Sequence, residues 1–574
     1  MTQQQFIQQF NSNQKYVYQM DPSLFVRDDN EMIRYIQMLY LSIQKTMGYD
    51  AYFTIRINKF TVIEDYDTVR DILSKYQEAA IKKSVKLRGA TENRFNFIDL
   101  RESDVKILVV EIFIEAYDGR EIIESVLAVP RVIDGQYINI NGNIRQMMLQ
   151  LVDASTYNNQ TSNSKNPMVV FKTQFQPLKV YRNNYKLRTI TNEEIDCVNY
   201  DCDTFSKSLP ACEYFFARMG LLRGLQFLGI DGAIWIHTTP PERNPEEWYI
   251  FQPKNSVAYY VAAPRFLYNS NPVLQHVIYT LVTEGARKFM NYEAINTQDI
   301  WLEALGRHFS LATPRSKACS VISSFEMVYD LITREITRLE PEDMLDSYTI
   351  LRWIIYEYSA LILKSNLDVY SKRVRCGEYA AYMAAPKLSK AIYTLGDMGD
   401  RVSLMAIRKR IVLPYDYILN ELGKEPIVVF NDTITDCDSF SAIRYSRNGP
   451  SAINDGNGTA SMPVVYRYLH PTSLGLLDDS ASGNANPGQS GILCPLIKVD
   501  FSKGGYFNPN YREPSTWREV VSQQWEQFDK ERTAKEVVDF KRKILEQSMF
   551  PDRQIKDFII TEEDRVRLLA TANR

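Results

Sequence analysis

The chain has 574 residues, of which 45% are hydrophobic and 24% charged, and its formal net charge is −3. Such a length sets a prior of roughly three or four domains and leaves room for a large buried core. Near-neutrality excludes a global electrostatic drive toward nucleic acid, so any contact with DNA or RNA must come from local basic clusters or from a partner that supplies most phosphate contacts.

The N-terminus, MTQQQFIQQFNSNQKYVYQM, is polar and has no apolar signal core. Ile33, Ile36, Leu39, Tyr40 and Ile43 then recur at helical spacing after Asp28, Asp29 and Asn30, which predicts a helix within 20–50. Residues 51–63 alternate as a strand, and 66–86 return to helix. Strands follow across 106–142, with Asp118–Gly119 as a hairpin turn. A helix is expected to start at Arg145 and run to Leu151. The small polar stretch 153–166 reads as a linker or domain junction.

Residues 167–360 carry strands at 168–182, 233–237, 248–251 and 257–261. Helices are expected at 209–228, 273–290, 319–339 and 346–364, enough to form a separate domain. Residues 366–424 read as mostly helical and basic. Nine of the 24 glycines then fall between Gly449 and Gly505. Glycine tolerates positive φ and close backbone approach, so this stretch marks tight turns or a nearby ligand. Two apolar runs of strand length, Pro463 to Leu469 and Ile492 to Val499, argue against a flexible linker. In the charged tail, Trp525, Phe528, Val537, Phe540, Ile544 and Leu545 form an apolar stripe on a long predicted helix. No apolar run reaches the roughly 18–20 residues of a membrane span.

The chain offers no self-contained active site. A metal-dependent nucleotidyl transferase needs clustered carboxylates. The candidates Asp201/Asp203, Asp436/Asp438 and Asp478/Asp479 each supply only two and read as surface or capping residues. There is no phosphate-binding P-loop, no Gly-x-Ser-x-Gly elbow and no His-Glu-x-x-His. Seven cysteines without a Cys-x-x-Cys pair, and four dispersed histidines, give no zinc spacing and fit reduced structural thiols in a cytosolic setting.

Three segments carry more specific text. In 128–142, AVPRVIDGQYINING, the residues Pro130, Gly135, Tyr137, Ile138, Asn141 and Gly142 lead to Arg145. In 367–397, Asp368, Lys372, Arg373, Arg375, Gly377 and Glu378 form a basic cluster before a helix. From 439 onward come Arg444, Ser446, Arg447, Gly449 and Pro450, then His470–Pro471–Thr472 and Gly475. Asn486 to Leu493, with Gly488 and Gly491, and finally GGYFNPNYREP at 504–514 complete the series.

In order and approximate spacing, these resemble the β subunit of multisubunit RNA polymerases over 120–514. The family writes Gly-x-Phe-Ile-Ile-Asn-Gly before Glu-Arg, Arg-x-Arg-x-x-Gly-Glu, Ser-Ala-Leu-Gly-Pro-Gly-Gly and Val-His-Pro-Thr-His-Tyr-Gly. Departures are Ile144 in place of the Glu before Arg145, Ser451 in place of a Gly, and the absence of both glutamates from the degraded phrase at 486–493. The segment 155–365 carries no alignable motif.

The resemblance implies an α+β, multidomain chain with β-subunit-like protrusion, lobe and fork. The protrusion would comprise 1–155 and 366–430, the lobe 156–365 and the fork 431–515. The tail 516–574 would dock a C-terminal β fragment or pack on the fork. It further implies an N-terminal fragment of a split β subunit, of the type found in giant bacteriophages, inactive alone. β′-like fragments would hold the catalytic Mg²⁺, which this chain would not bind. DNA template, the RNA–DNA hybrid and, in one arrangement, a promoter-specificity subunit would be partners, in the host bacterial cytoplasm, with virion packaging left open and no membrane contact. Phosphate contacts are expected first from Arg444 and Arg447, then from Lys372, Arg373 and Arg375. Gly449, Pro450, His470, Pro471, Gly475, Gly488 and Gly491 are expected to shape the fork loops. The alternative is a non-enzymatic phage structural or DNA-binding protein.

Overall fold

A computed structural model describes residues 28–507 except 49, 89–99, 134, 155, 160–167, 205–206, 242–243, 254–258, 284–293, 338–345, 364–367, 426, 431–443, 447–469, 474, 478–489, 495–496, 498 and 500–503. Helices and sheets are mixed throughout, as in an α+β protein of several domains.

The first helix, Asp29–Ser42, starts where the Asp28 carboxylate accepts from the Asn30 N–H at 2.9 Å. Its stripe of Met32, Ile33, Ile36, Leu39 and Tyr40 is buried. A three-stranded antiparallel sheet forms from Thr54–Ile63, Val105–Ala116 and Gly119–Pro130, with the second strand central. The last two make the hairpin expected at Asp118–Gly119.

The helix expected from Arg145 to Leu151 is absent. Tyr137–Ile140 and Asn143–Met147 pair instead as a hairpin, followed by the strand Leu149–Asp153. Asn141 and Gly142 have φ of 55° and 74°, the two consecutive positive values that a tight two-residue hairpin turn demands. All five residues of Leu149–Asp153 are buried, and a strand covered on both faces loses the alternation that would distinguish it from a helix. The expected linker at 153–166 also contains a strand, Thr156–Asn159.

That strand is one edge of a five-stranded antiparallel sheet. Met168–Phe171, Leu178–Arg188, Glu194–Thr204 and Lys207–Pro210 complete it in sequence order. Ala211–Met219, Pro272–Thr283, Gln298–Arg307, Pro314–Glu326 and Ser347–Tyr356 supply helices to its core. The small sheet of Trp235–His237, Tyr260–Pro264 and Trp248–Phe251 lies within the same segment.

Two large hydrophobic cores result. One draws on residues from Met32 to Leu151 and again from Met327 to Phe507, while the other draws on Val169 to Leu361. The long helix Glu378–Met398 crosses Pro314–Glu326 between them. Contact is tight at Gly396, where an added Cβ would stand 2.6 Å from Ser320 Cα. Ser316 Oγ donates to the Asp397 carbonyl at 2.6 Å, and Ser320 Oγ donates to the Asp397 carboxylate at 2.7 Å. Among the described residues, no helix is long and apolar enough to cross a membrane.

Gly396→Val should therefore force the two helices apart. Thermal or denaturant unfolding should record a loss of about 1–3 kcal/mol, the usual cost of overpacking a tight contact. An unchanged unfolding midpoint would show that this crossing does not set stability.

Candidate functional site

The basic cluster forms the strand Lys372–Arg375, which pairs antiparallel with Leu149–Asp153. The register sets Lys372 against Asp153, Arg373 against Val152, Val374 against Leu151 and Arg375 against Gln150. Strand geometry puts Arg373 and Arg375 on the same face.

In this placement Lys372, Arg373 and Arg375, expected from the sequence to contact phosphates, are buried within the chain. Their exposures are only 4%, 6% and 4%. Lys372 Nζ donates to Asp153 Oδ1 at 2.6 Å. The Arg373 guanidinium grips both oxygens of Glu378, at 2.7 and 3.0 Å. Arg375 donates to Glu378 Oε1 at 3.4 Å and, through Nε, to Gln150 Oε1 at 2.6 Å. Burial alone would push the Glu378 carboxyl up. The Arg373 and Arg375 charges outweigh burial and hold it below the usual carboxylate range.

Glu378 opens the long helix, where the helix dipole also favours an anion. Asp368 fixes the approach by accepting from the Tyr370 N–H at 2.9 Å. A Cβ at Gly377 would meet the Glu31 carboxylate at 2.5 Å. On the other side, Val374 N donates to Gly505 O at 2.7 Å, and Arg373 Nη1 donates to Gly504 O at 3.4 Å. At Gly505, φ is +75° and a Cβ would stand 1.8 Å from Val374 O, so only glycine fits.

The strand Leu149–Asp153 also pairs in parallel with Arg444–Ser446, which pairs antiparallel with Ser490–Ile492. The sheet therefore runs basic strand, Leu149–Asp153, Arg444–Ser446, Ser490–Ile492. At Gly491 a Cβ would meet Tyr445 Oη at 2.6 Å, which accounts for this glycine. The Arg444 backbone lies opposite Ile492. Arg447, Gly449, Pro450 and Gly488 lie outside the described residues, as do Pro463 to Leu469 and the stripe beginning at Trp525.

His470 Nδ1 is 2.8 Å from Thr472 Oγ1, which accepts from the Val369 N–H at 3.0 Å. Pro471 begins a short 3₁₀ turn, and Gly475 beyond it has φ +75°. Burial lowers the His470 pKa. These contacts join the turn to the segment just before the basic strand.

Of the paired carboxylates, Asp201 is buried and accepts from Asn183 at 2.5 Å and Asn199 at 2.6 Å. Asn199 Oδ1 lies 2.7 Å from His276 Nδ1, and His276 Nε2 accepts from the Cys212 N–H at 3.2 Å. This network joins the long strand Glu194–Thr204 to two helices, and His276 is wholly buried. Asp436, Asp438, Asp478 and Asp479 lie outside the described residues. Among the described residues, no three His, Cys, Asp or Glu side chains form a group able to hold a metal ion. Sequence reasoning misses Gln150 and Asp153 as partners because it assigns them to a helix and a linker. The spacing of Arg373, Arg375 and Glu378 is the signal that could have revealed the ion cluster.

Glu378→Gln should leave two buried guanidiniums without their anion and destabilise the fold by about 3–5 kcal/mol, measured by denaturant unfolding. A loss under about 1 kcal/mol would contradict the role given to this carboxylate. A second test uses His276, whose pKa burial lowers from 6.5 to about 3. The unfolded chain takes up this proton near pH 6.5 while the folded chain resists until about pH 3. Any stability advantage over His276→Gln should be full above pH 6.5. It should shrink as pH falls toward 3, by at most about 1.4 kcal/mol per pH unit.

A protein-family model described as non-virion RNA polymerase subunit matches residues 73–514, most of the chain, and the chain belongs to that family. No curated protein matches it. The family decides between the two classes left open by the sequence, in favour of an RNA polymerase subunit whose partners are other polymerase subunits.

Proposed function

We propose that this RNA polymerase subunit is the N-terminal part of a split β-like subunit in a DNA-directed phage enzyme. The observation that carries this reading is convergence. Segments resembling β-subunit motifs are spread along the chain, yet strands from 149–153, 372–375, 444–446 and 490–492 share one sheet, with Tyr506 bridged to Arg373 of the basic strand. The first hydrophobic core likewise combines residues up to Leu151 with residues from Val369 onward, joined by Met327, Ile332 and Ile336 from the intervening segment, which supports a protrusion interrupted by a lobe.

In this reading, 1–155 with 366–430 is the protrusion, 156–365 the lobe, 431–515 the fork and 516–574 the docking tail. The chain walls the DNA cleft and positions the template and RNA–DNA hybrid. A β′-like partner holds the catalytic Mg²⁺, and a C-terminal β fragment completes the subunit. Arg444 and Arg447 supply phosphate contacts. Lys372, Arg373 and Arg375 take a structural part, since each is ion-paired within the chain, the two arginines sharing Glu378. The site of action is the host bacterial cytoplasm.

Two measurements test this. Purified from its natural source, the chain should travel with at least two other large chains, one carrying a metal-binding aspartate triad. Replacing Arg444 and Arg447 together by Ala should lower transcription by the assembled enzyme at least several-fold while assembly persists. Full activity would remove their assigned role, and isolation as a stable monomer that adds nothing to such chains would remove the reading itself.

A further inference from the structure

The basic strand does not pack flush where the two cores meet. A cavity of about 20 Å³ remains, walled in part by Asp153, Gln174, Thr333, Ile336, Arg373 and Arg375. Two buried side-chain atoms of residues in this wall have no hydrogen-bond partner among the described residues: the Arg373 Nε–H donor and the Gln174 Oε1 acceptor. Their residues are 6% and 3% exposed, so bulk solvent does not satisfy them. The Arg373 Nη1 donates to Glu378 and to the Gly504 carbonyl, and Nη2 donates to Glu378.

The volume exceeds the roughly 10–15 Å³ that one buried water needs, and it is too small for a larger organic ligand. One unmet donor and one unmet acceptor call for a molecule that both accepts and donates. A halide would answer Arg373, with Lys172 and Arg375 also on the wall, but would leave the Gln174 oxygen without a donor and would face the Asp153 carboxylate. Water answers both groups. We propose that this cavity is a structural-water site in which one molecule accepts from Arg373 Nε–H and donates to Gln174 Oε1.

Gln174 belongs to the turn after Met168–Phe171, and its own N–H donates to buried Asp330 at 3.1 Å. Arg373 belongs to the sheet of the first core. The water therefore links the two cores through hydrogen bonds at a point where apolar packing is interrupted.

The test is a crystal structure of the full chain, alone or in its polymerase complex, at a resolution that defines ordered water, with a parallel bromide soak. A single peak within about 3.2 Å of both Arg373 Nε and Gln174 Oε1, without anomalous signal after the soak, is the expected result. An empty cavity overturns the proposal, and an anomalous bromide peak replaces water with an anion. Gln174→Met fills the space and removes the acceptor, so its crystals should lack the peak. A peak that persists in this variant shows that Gln174 does not hold the water and overturns the assignment.

Discussion

The buried carboxylate of Glu378, held between Arg373 and Arg375, is the constraint around which this fold closes. Taking ions out of water is expensive, and their attraction offsets that cost only when the geometry is good and the remaining polar atoms find partners. Here the requirement recruits distant chain. Gln150 serves Arg375, Asp153 serves the neighbouring Lys372, and the Gly504 carbonyl serves Arg373. Breaking any one contact leaves a buried charge or donor less well matched. The cluster thus specifies which segments lie beside one another, a task that interchangeable apolar side chains perform less selectively.

This arrangement gives a physical sense to an RNA polymerase subunit in which no metal-binding cluster stands among the described residues. Its strongest electrostatics face inward and fix architecture. The glycines that can be accounted for act in the same way. Gly505 admits the Val374 carbonyl, Gly491 admits the Tyr445 ring and Gly377 admits the Glu31 side chain. Each permits a contact between segments far apart in sequence. A glycine-rich stretch that composition alone would treat as loose is, at Gly491 and Gly505, closely packed.

Much of the fold was legible where one face is buried and the other wet. The stripe from Met32 to Tyr40 and the alternation through Val105–Ala116 are examples. Legibility failed where both faces are covered. Leu149–Asp153 has no solvent-exposed side, and Asn141–Gly142 before it was read as the end of a strand although it closes a hairpin. The long strand Glu194–Thr204 also went unread, because its alternating residues are polar on both faces and Asn199 and Asp201 are buried through mutual hydrogen bonds. At the candidate site, composition marked the cations but not their accessibility. A run of Lys and Arg looks the same on a wet face as in an ion cluster, and only the register with Gln150 and Asp153 separates the two.

The order of synthesis gives the split first core another consequence. Residues 169–361 are contiguous and can gather their own core soon after leaving the ribosome. The first core waits, because Asp153 emerges long before Lys372, and the Gly504–Phe507 segment comes later still. At about 5–20 residues per second, the interval between Asp153 and Gly505 is roughly 20 to 70 seconds. Until Lys372–Arg375 has emerged, the strand Leu149–Asp153 lacks its neighbours on both sides. A nascent-chain chaperone that shields unpaired strand edges would have its main work there.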